Sequence, residues 1–175
     1  MKNHLTQGSS QKKSGFLLVF ILVLLVGLLQ SFTACDLLGT KSGDTILGEW
    51  KSQQYEEGYI IKYDSALDSY VIERIDPWGY DYKGTIQLPY TTSFSKKEGY
   101  IIFQVNEKGS QSSLEVNKYF AVRWEDFLGD TVRMGDAWRS DGILTGTNTP
   151  QQAKDEYTVK NGYFSAMDKS IYQRQ

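Results

Sequence analysis

Carboxylates are the side chains whose type and spacing come nearest to a catalytic arrangement in this sequence. They gather as Glu56-Glu57, Asp64 with Asp68, Glu125-Asp126 with Asp130, and Asp136 with Asp141. Two carboxylates about 5–10 Å apart in a cleft can hydrolyse a glycosidic bond, one holding the proton that the other lacks. Paired acids can also ligate calcium, yet neither Asp64/Asp68 nor Asp126/Asp130 follows the EF-hand spacing. Most of these acids stand in segments that read as turns, where Asp accepts hydrogen bonds from nearby backbone. Solvated turns are therefore the expectation, and no catalytic or metal-ligating residue is assigned.

Other chemistries lack their parts. The chain holds one His, His4, and one Cys, Cys35. Lys2, Lys12 and Lys13 precede an apolar run from Phe16 to Leu29, and small residues follow before Cys35. A basic start, an apolar stretch and a small-residue boundary make up an export signal. At about 1.5 Å per residue the run reaches only about 21 Å, short of the roughly 30 Å core of a bilayer. Extended through Phe32 it just spans, so an uncleaved anchor is the alternative. Loss of residues 1–34 as an export signal removes His4, so Cys35 keeps no His to pair with. A Ser-His-Asp triad, a Cys-His pair and a typical zinc site are then all excluded. No P-loop or Gly-x-Gly-x-x-Gly stands between a strand and a helix. The expected protein is not an enzyme and carries no cofactor.

The segment Phe32-Thr33-Ala34-Cys35 resembles the bacterial lipobox, with Phe32 in place of the usual Leu. In that family the thiol is diacylated, the chain is cut just before it, and the new N-terminus is often acylated too. The resemblance implies a protein held at the cell membrane or the outer membrane, since two or more acyl chains give stable anchoring. Asp36 resembles the signal that retains such proteins at the inner membrane in enteric-type Gram-negative bacteria. Removal of the three leader lysines takes the net charge from −2 to −5. A mildly acidic chain without a basic cluster is a poor partner for nucleic acid.

Aromatics are the strongest compositional signal. Of 4 Trp, 12 Tyr and 8 Phe, only Phe16, Phe20 and Phe32 precede Cys35. Such rings can line a cavity for a hydrophobic or aromatic-compatible ligand. They can equally form a plain aromatic core, because strands favour them.

The elements that would position these residues are strands. Residues 35–45 read as the anchored cysteine and a Gly/Ser/Thr-rich tether, and 46–175 as a single β-rich domain. Tyr80, Tyr82, Ile86 and Leu88 alternate with Asp81, Lys83, Thr85 and Gln87, the period-two pattern of a half-buried strand. Tyr59, Ile61 and Tyr63 alternate likewise, as do Ile101, Phe103 and Val105, and Phe120, Val122 and Trp124. Val132, Met134 and Trp138 continue the pattern. Eight or nine short strands at about 8–12 residue spacing predict an all-β, antiparallel up-and-down barrel or a sandwich. Thr149-Pro150-Gln151-Gln152 predicts a short helix, with Thr149 as N-cap, Pro150 first and Gln152 completing a capping box. Ala153 and Tyr157 are its candidate packing residues, and the last strand is expected after Tyr163-Phe164.

Leu47-Gly48-Glu49-Trp50 resembles the opening of lipocalins and other calycins. In that family the Trp closes the bottom of an eight-stranded barrel beneath a basic residue from late in the chain. Arg123 and Arg133 are the candidates. Residues 117–124, 131–137 and 153–158 are similar to a C-terminal pattern of uncharacterised bacterial lipoproteins, which implies a fold and no activity.

The expected interior face is Trp50, Tyr59, Ile61, Tyr63, Tyr82, Phe103, Phe120, Val122 and Trp124. The expected partners are a membrane, through the lipid, and a small hydrophobic ligand. The alternative is an envelope protein met through an aromatic patch such as Trp78 in Asp76-Pro77-Trp78-Gly79; the third possibility is a carboxylate-dependent glycan enzyme.

Overall fold

A computed structural model describes residues 44–140, 145–165, 167 and 171–175. The leader, Cys35, most of the tether and Asp141 lie outside the described residues.

Eight antiparallel strands close in sequence order into an up-and-down barrel. They are β1 (Gly48–Ser52), β2 (Gly58–Asp64), β3 (Ser69–Ile75), β4 (Tyr82–Ile86), β5 (Gly99–Lys108), β6 (Tyr119–Glu125), β7 (Thr131–Asp136) and β8 (Ile171–Arg174). Each strand pairs with the next, and β8 returns to β1 with Trp50 opposite Arg174. Closure leaves no sheet edge for another chain to pair with. The architecture is thus the barrel and not the sandwich, with eight strands.

Alternation fills the inside. Trp50, Tyr59, Ile61, Tyr82, Phe103, Phe120, Val122 and Trp124 are all buried, and the registers place them on one face. An eight-stranded barrel is only just wide enough for its own side chains, so rings of this size occupy most of it. Gly84 makes one such packing possible. A Cβ there would lie 2.4 Å from the Phe103 ring, the space Phe103 uses to stack on Tyr82 with centroids 5.1 Å apart.

Tyr63 departs from the expected interior. It is 50% exposed, because it stands one residue before the β2–β3 turn, where the strands run past the packed core. Its ring meets Tyr70 at 5.4 Å and its hydroxyl donates to Asp68. The alternation through Tyr80 and Leu88 also overshoots: β4 runs only from Tyr82 to Ile86, and both flanking residues are exposed, Tyr80 in a turn and Leu88 at the start of a 3-10 helix. Trp138 lies beyond the end of β7, Tyr163 forms an isolated bridge with Arg139, and the last strand, β8, follows Tyr163-Phe164 as expected.

The closed end is built on Trp50. Its indole N–H donates to the Ile46 carbonyl at 2.8 Å, and the Arg174 guanidinium lies 4.3 Å from its ring centroid. Arg174 donates to the carbonyls of Leu47 and Thr45 at 2.6 Å and of Gly129 at 3.0 Å. The stacking cation is therefore neither Arg123 nor Arg133. Both point outward, Arg123 to Glu125 and over Tyr100, Arg133 to Glu125 and Asp126. Arg174 wins because closure brings β8 alongside β1. Gly48 has φ +137°, and a Cβ on it would meet Arg174 Nη1 at 2.6 Å. The glycine of the Gly-x-Trp run is the space the guanidinium occupies.

The short helix, α1 (Pro150–Glu156), starts as its sequence predicts, with Thr149 accepting from the Gln152 N–H at 3.2 Å. The Gln152 side chain accepts from Asn148, one residue earlier than in the usual capping box. Ala153 and Tyr157 are buried, and the helix lies against β5 and β6. The outward-facing Ile102 and Ala121 of those strands are buried as well.

Candidate functional site

The end opposite Trp50 is where the polar groups meet. The β1–β2 and β3–β4 turns, the 109–118 loop and the residues directly after β7 all emerge there. Arg74 occupies an inward position on β3, opposite Tyr59 on β2 and Tyr82 on β4. Its Nη2 donates to Glu57 at 2.8 Å and to Asp76 at 3.1 Å, and its Nη1 donates to Asp136. Glu57 ends the β1–β2 turn, Asp76 follows β3 directly, and Asp136 is the last residue of β7. Two connections and the end of β7 thus bring one carboxylate each to a single guanidinium.

Three buried tyrosines complete the network. Asp136 Oδ1 accepts from Tyr82 at 2.6 Å and from Tyr59 at 3.1 Å, while Glu57 Oε1 accepts from Tyr172 at 2.9 Å. Asp76 Oδ1 accepts from the Trp78 N–H at 2.9 Å, which fixes the turn after β3. Burial, and then the Asp136 charge, pushes Tyr59 and Tyr82 well above the ordinary phenol range. Burial followed by Glu57 does the same to Tyr172. Burial alone would lower the Arg74 guanidinium, but its partners, Asp136 foremost, outweigh that and raise it. The hydroxyls therefore stay protonated donors and the guanidinium stays charged at any physiological pH. Arg74 Nε is buried and has no hydrogen-bond partner.

Above this floor lies a cavity of about 320 Å³, at the small end of the roughly 300–1,000 Å³ of ligand pockets. Its aromatic walls are Tyr59, Tyr80, Tyr82, Trp138 and Tyr172, with Leu114, Met134 and Met167 supplying apolar surface. Ser112 and Ser113 arrive from the 109–118 loop, which Lys108 Nζ ties down by donating to the Ser112 carbonyl at 2.8 Å. Its charged lining is Glu57, Arg74 and Asp136.

Of the residues expected to line a ligand site, Tyr59 and Tyr82 do so. Ile61, Phe103, Phe120, Val122 and Trp124 are packed in the core below, Trp50 belongs to the closed end, and Tyr63 is on the rim of that end. Glu57 and Asp136 were visible as members of acidic clusters, but not as a pair. Asp64, Asp68, Asp126 and Asp130 stay with turns: Asp64 caps Ala66 and Leu67, Asp68 accepts from Tyr63, and Arg133 reaches Asp126. Arg74 and Tyr172 have no counterpart in the sequence reading. An inward-phase Arg after Tyr70 and Ile72 was the available signal, blurred by Val71 and Ile75 in the opposite phase. Trp78 is 58% exposed at its turn. Among the described residues no cluster of metal-ligating side chains is found. No protein-family model matches this chain, and neither does any curated protein or solved structure.

Proposed function

We propose that this chain is a lipid-anchored cell-envelope protein that holds a small ligand, without transforming it, in the mouth of its barrel. The cavity of about 320 Å³ between the Arg74 network and Trp138 carries this reading. Packing below the network leaves room for a short molecule and not for a long acyl chain. Five aromatic walls suit a ligand with an apolar or ring-shaped body. Cys35, in its lipobox-like setting, supplies the anchor. Ile46 enters at the closed end, where its N–H donates to the Phe94 carbonyl, and the mouth opens at the other.

Glu57 and Asp136 converging in an aromatic cavity favour one second reading, carboxylate-dependent glycan hydrolysis. Against it, both oxygens of each carboxylate already accept from Arg74 or a tyrosine, so neither is set up to donate a proton. The direct test is native mass spectrometry of the full chain in non-ionic detergent, after incubation with a small-molecule extract. A non-covalent adduct of unaltered mass supports binding. Turnover of glycan substrates that Asp136→Asn abolishes supports the second reading. The anchor has its own test: palmitate labelling in a bacterial host, present in the natural chain and absent from Cys35→Ser.

A further inference from the structure

The cavity's hydrogen-bonding inventory specifies the charge of what it takes. Resting on the reading of the mouth as a ligand site, we infer that the ligand is a small organic cation, an ammonium group carried on an aromatic or short aliphatic body. Of the cavity's charged lining, the carboxylates of Glu57 and Asp136 outnumber the one guanidinium, Arg74, while Asp76 holds Arg74 without lining the cavity. The excess is negative. The carboxylate oxygens keep lone pairs to offer, since a carboxylate accepts more bonds than these oxygens receive.

Most of the deep donors, by contrast, are spent. Tyr59, Tyr82 and Tyr172 all give their protons to Asp136 or Glu57. Arg74 uses both Nη2 hydrogens on Glu57 and Asp76 and one Nη1 hydrogen on Asp136. Its Nε is unpaired but has essentially no accessible surface, so an anion cannot reach it unless the guanidinium moves. An anionic ligand would have to approach an excess of carboxylates and displace one of them. A cation adds an ion pair and enters a lining that includes the exposed rings of Tyr80 and Trp138, a ring type that attracts positive charge. Ser112 and Ser113, at the opening, can donate or accept and are neutral in this choice.

Three probes of matched body separate the cases: phenethylammonium, phenylacetate and 2-phenylethanol. Each is titrated into the full chain in non-ionic detergent, with affinity from calorimetry and location from NMR shifts of the Trp138 indole and Leu114 methyls. The expected result is binding of phenethylammonium at least about tenfold tighter than of the other two, the effect of one charge-assisted contact. Glu57→Gln should weaken the cation by a similar factor and weaken 2-phenylethanol less. Equal or tighter binding of phenylacetate or 2-phenylethanol with the same shifts overturns the charge preference and leaves the ligand site standing. No shift from any probe overturns the inference. The native mass spectrum then decides the underlying reading, which falls too if the protein is bare.

Discussion

Removing the guanidinium from the Arg74 network should change the sign of what a neighbouring mutation does. Arg74 is the cation shared by Glu57, Asp76 and Asp136, whose side chains are only 15%, 3% and 20% exposed. Taking one partner from a buried ion pair costs about 3–5 kcal/mol, mostly because the charge left behind is unpaired. The cavity admits water to part of this cluster, so Arg74→Met should cost about 2–4 kcal/mol. Asp136→Asn alone should also destabilise, by about 1–3 kcal/mol, since it loses the ionic contact to Arg74 and weakens two tyrosine bonds. In the Arg74→Met background the same substitution removes one of three mutually repelling carboxylates, and it should restore about 1 kcal/mol or more. Urea unfolding followed by tryptophan fluorescence measures all four proteins, and the double-mutant cycle gives the coupling. Losses that add to within about 0.5 kcal/mol would refute the network, because independent sites add in that way.

Three further outcomes follow from the same geometry. Arg174→Met should cost about 3–5 kcal/mol, from three charge-assisted bonds to carbonyls and the stack on Trp50. Arg174→Lys should recover only part of that, as an ammonium lacks the planar fork, and thermal unfolding checks both. Alkaline stability should fall steeply, since Tyr59, Tyr82 and Tyr172 titrate above the ordinary value of 10.0 in the folded chain. The unfolded chain loses those protons first, so the stability present below pH 10 drains away as pH rises, by up to about 1.4 kcal/mol per unit for each group. Tyr82→Phe should flatten that slope in urea midpoints taken from pH 9 upward. Gly48→Ala should destabilise by about 1–3 kcal/mol, because its Cβ meets the guanidinium at 2.6 Å in a backbone region that suits glycine.

The barrel was legible because its signal is local. Each strand of a closed sheet carries its own alternation, and five of the eight are phased from runs such as Ile101-Phe103-Val105. The cap of α1 was equally local, resting on Thr149, Pro150 and Gln152. The mouth was not legible, since Glu57, Arg74, Asp136 and Tyr172 come from four separate regions and meet only through barrel closure. A count of acids by neighbourhood in sequence grouped Glu57 with Glu56 and Asp136 with Asp141. No local rule pairs Glu57 with Asp136. The same blindness put the Trp50 partner at Arg123 or Arg133: the four-residue β8 shows too little pattern to reveal that Arg174 faces inward. Tyr63 was misplaced for a different reason, as alternation gives the phase of a strand and not the depth at which the core stops.

The central claim is that the mouth cavity holds a small molecule, and one comparison tests it most directly. Native mass spectra of the full chain and of Ser113→Trp would be recorded side by side after incubation with a small-molecule extract. Ser113 is an exposed residue of the cavity lining, and a large ring there blocks the opening without touching the Arg74 network. The account predicts an adduct on the natural chain, lost on denaturation and absent from Ser113→Trp. A bare natural chain, or an adduct that Ser113→Trp retains in full, would contradict it.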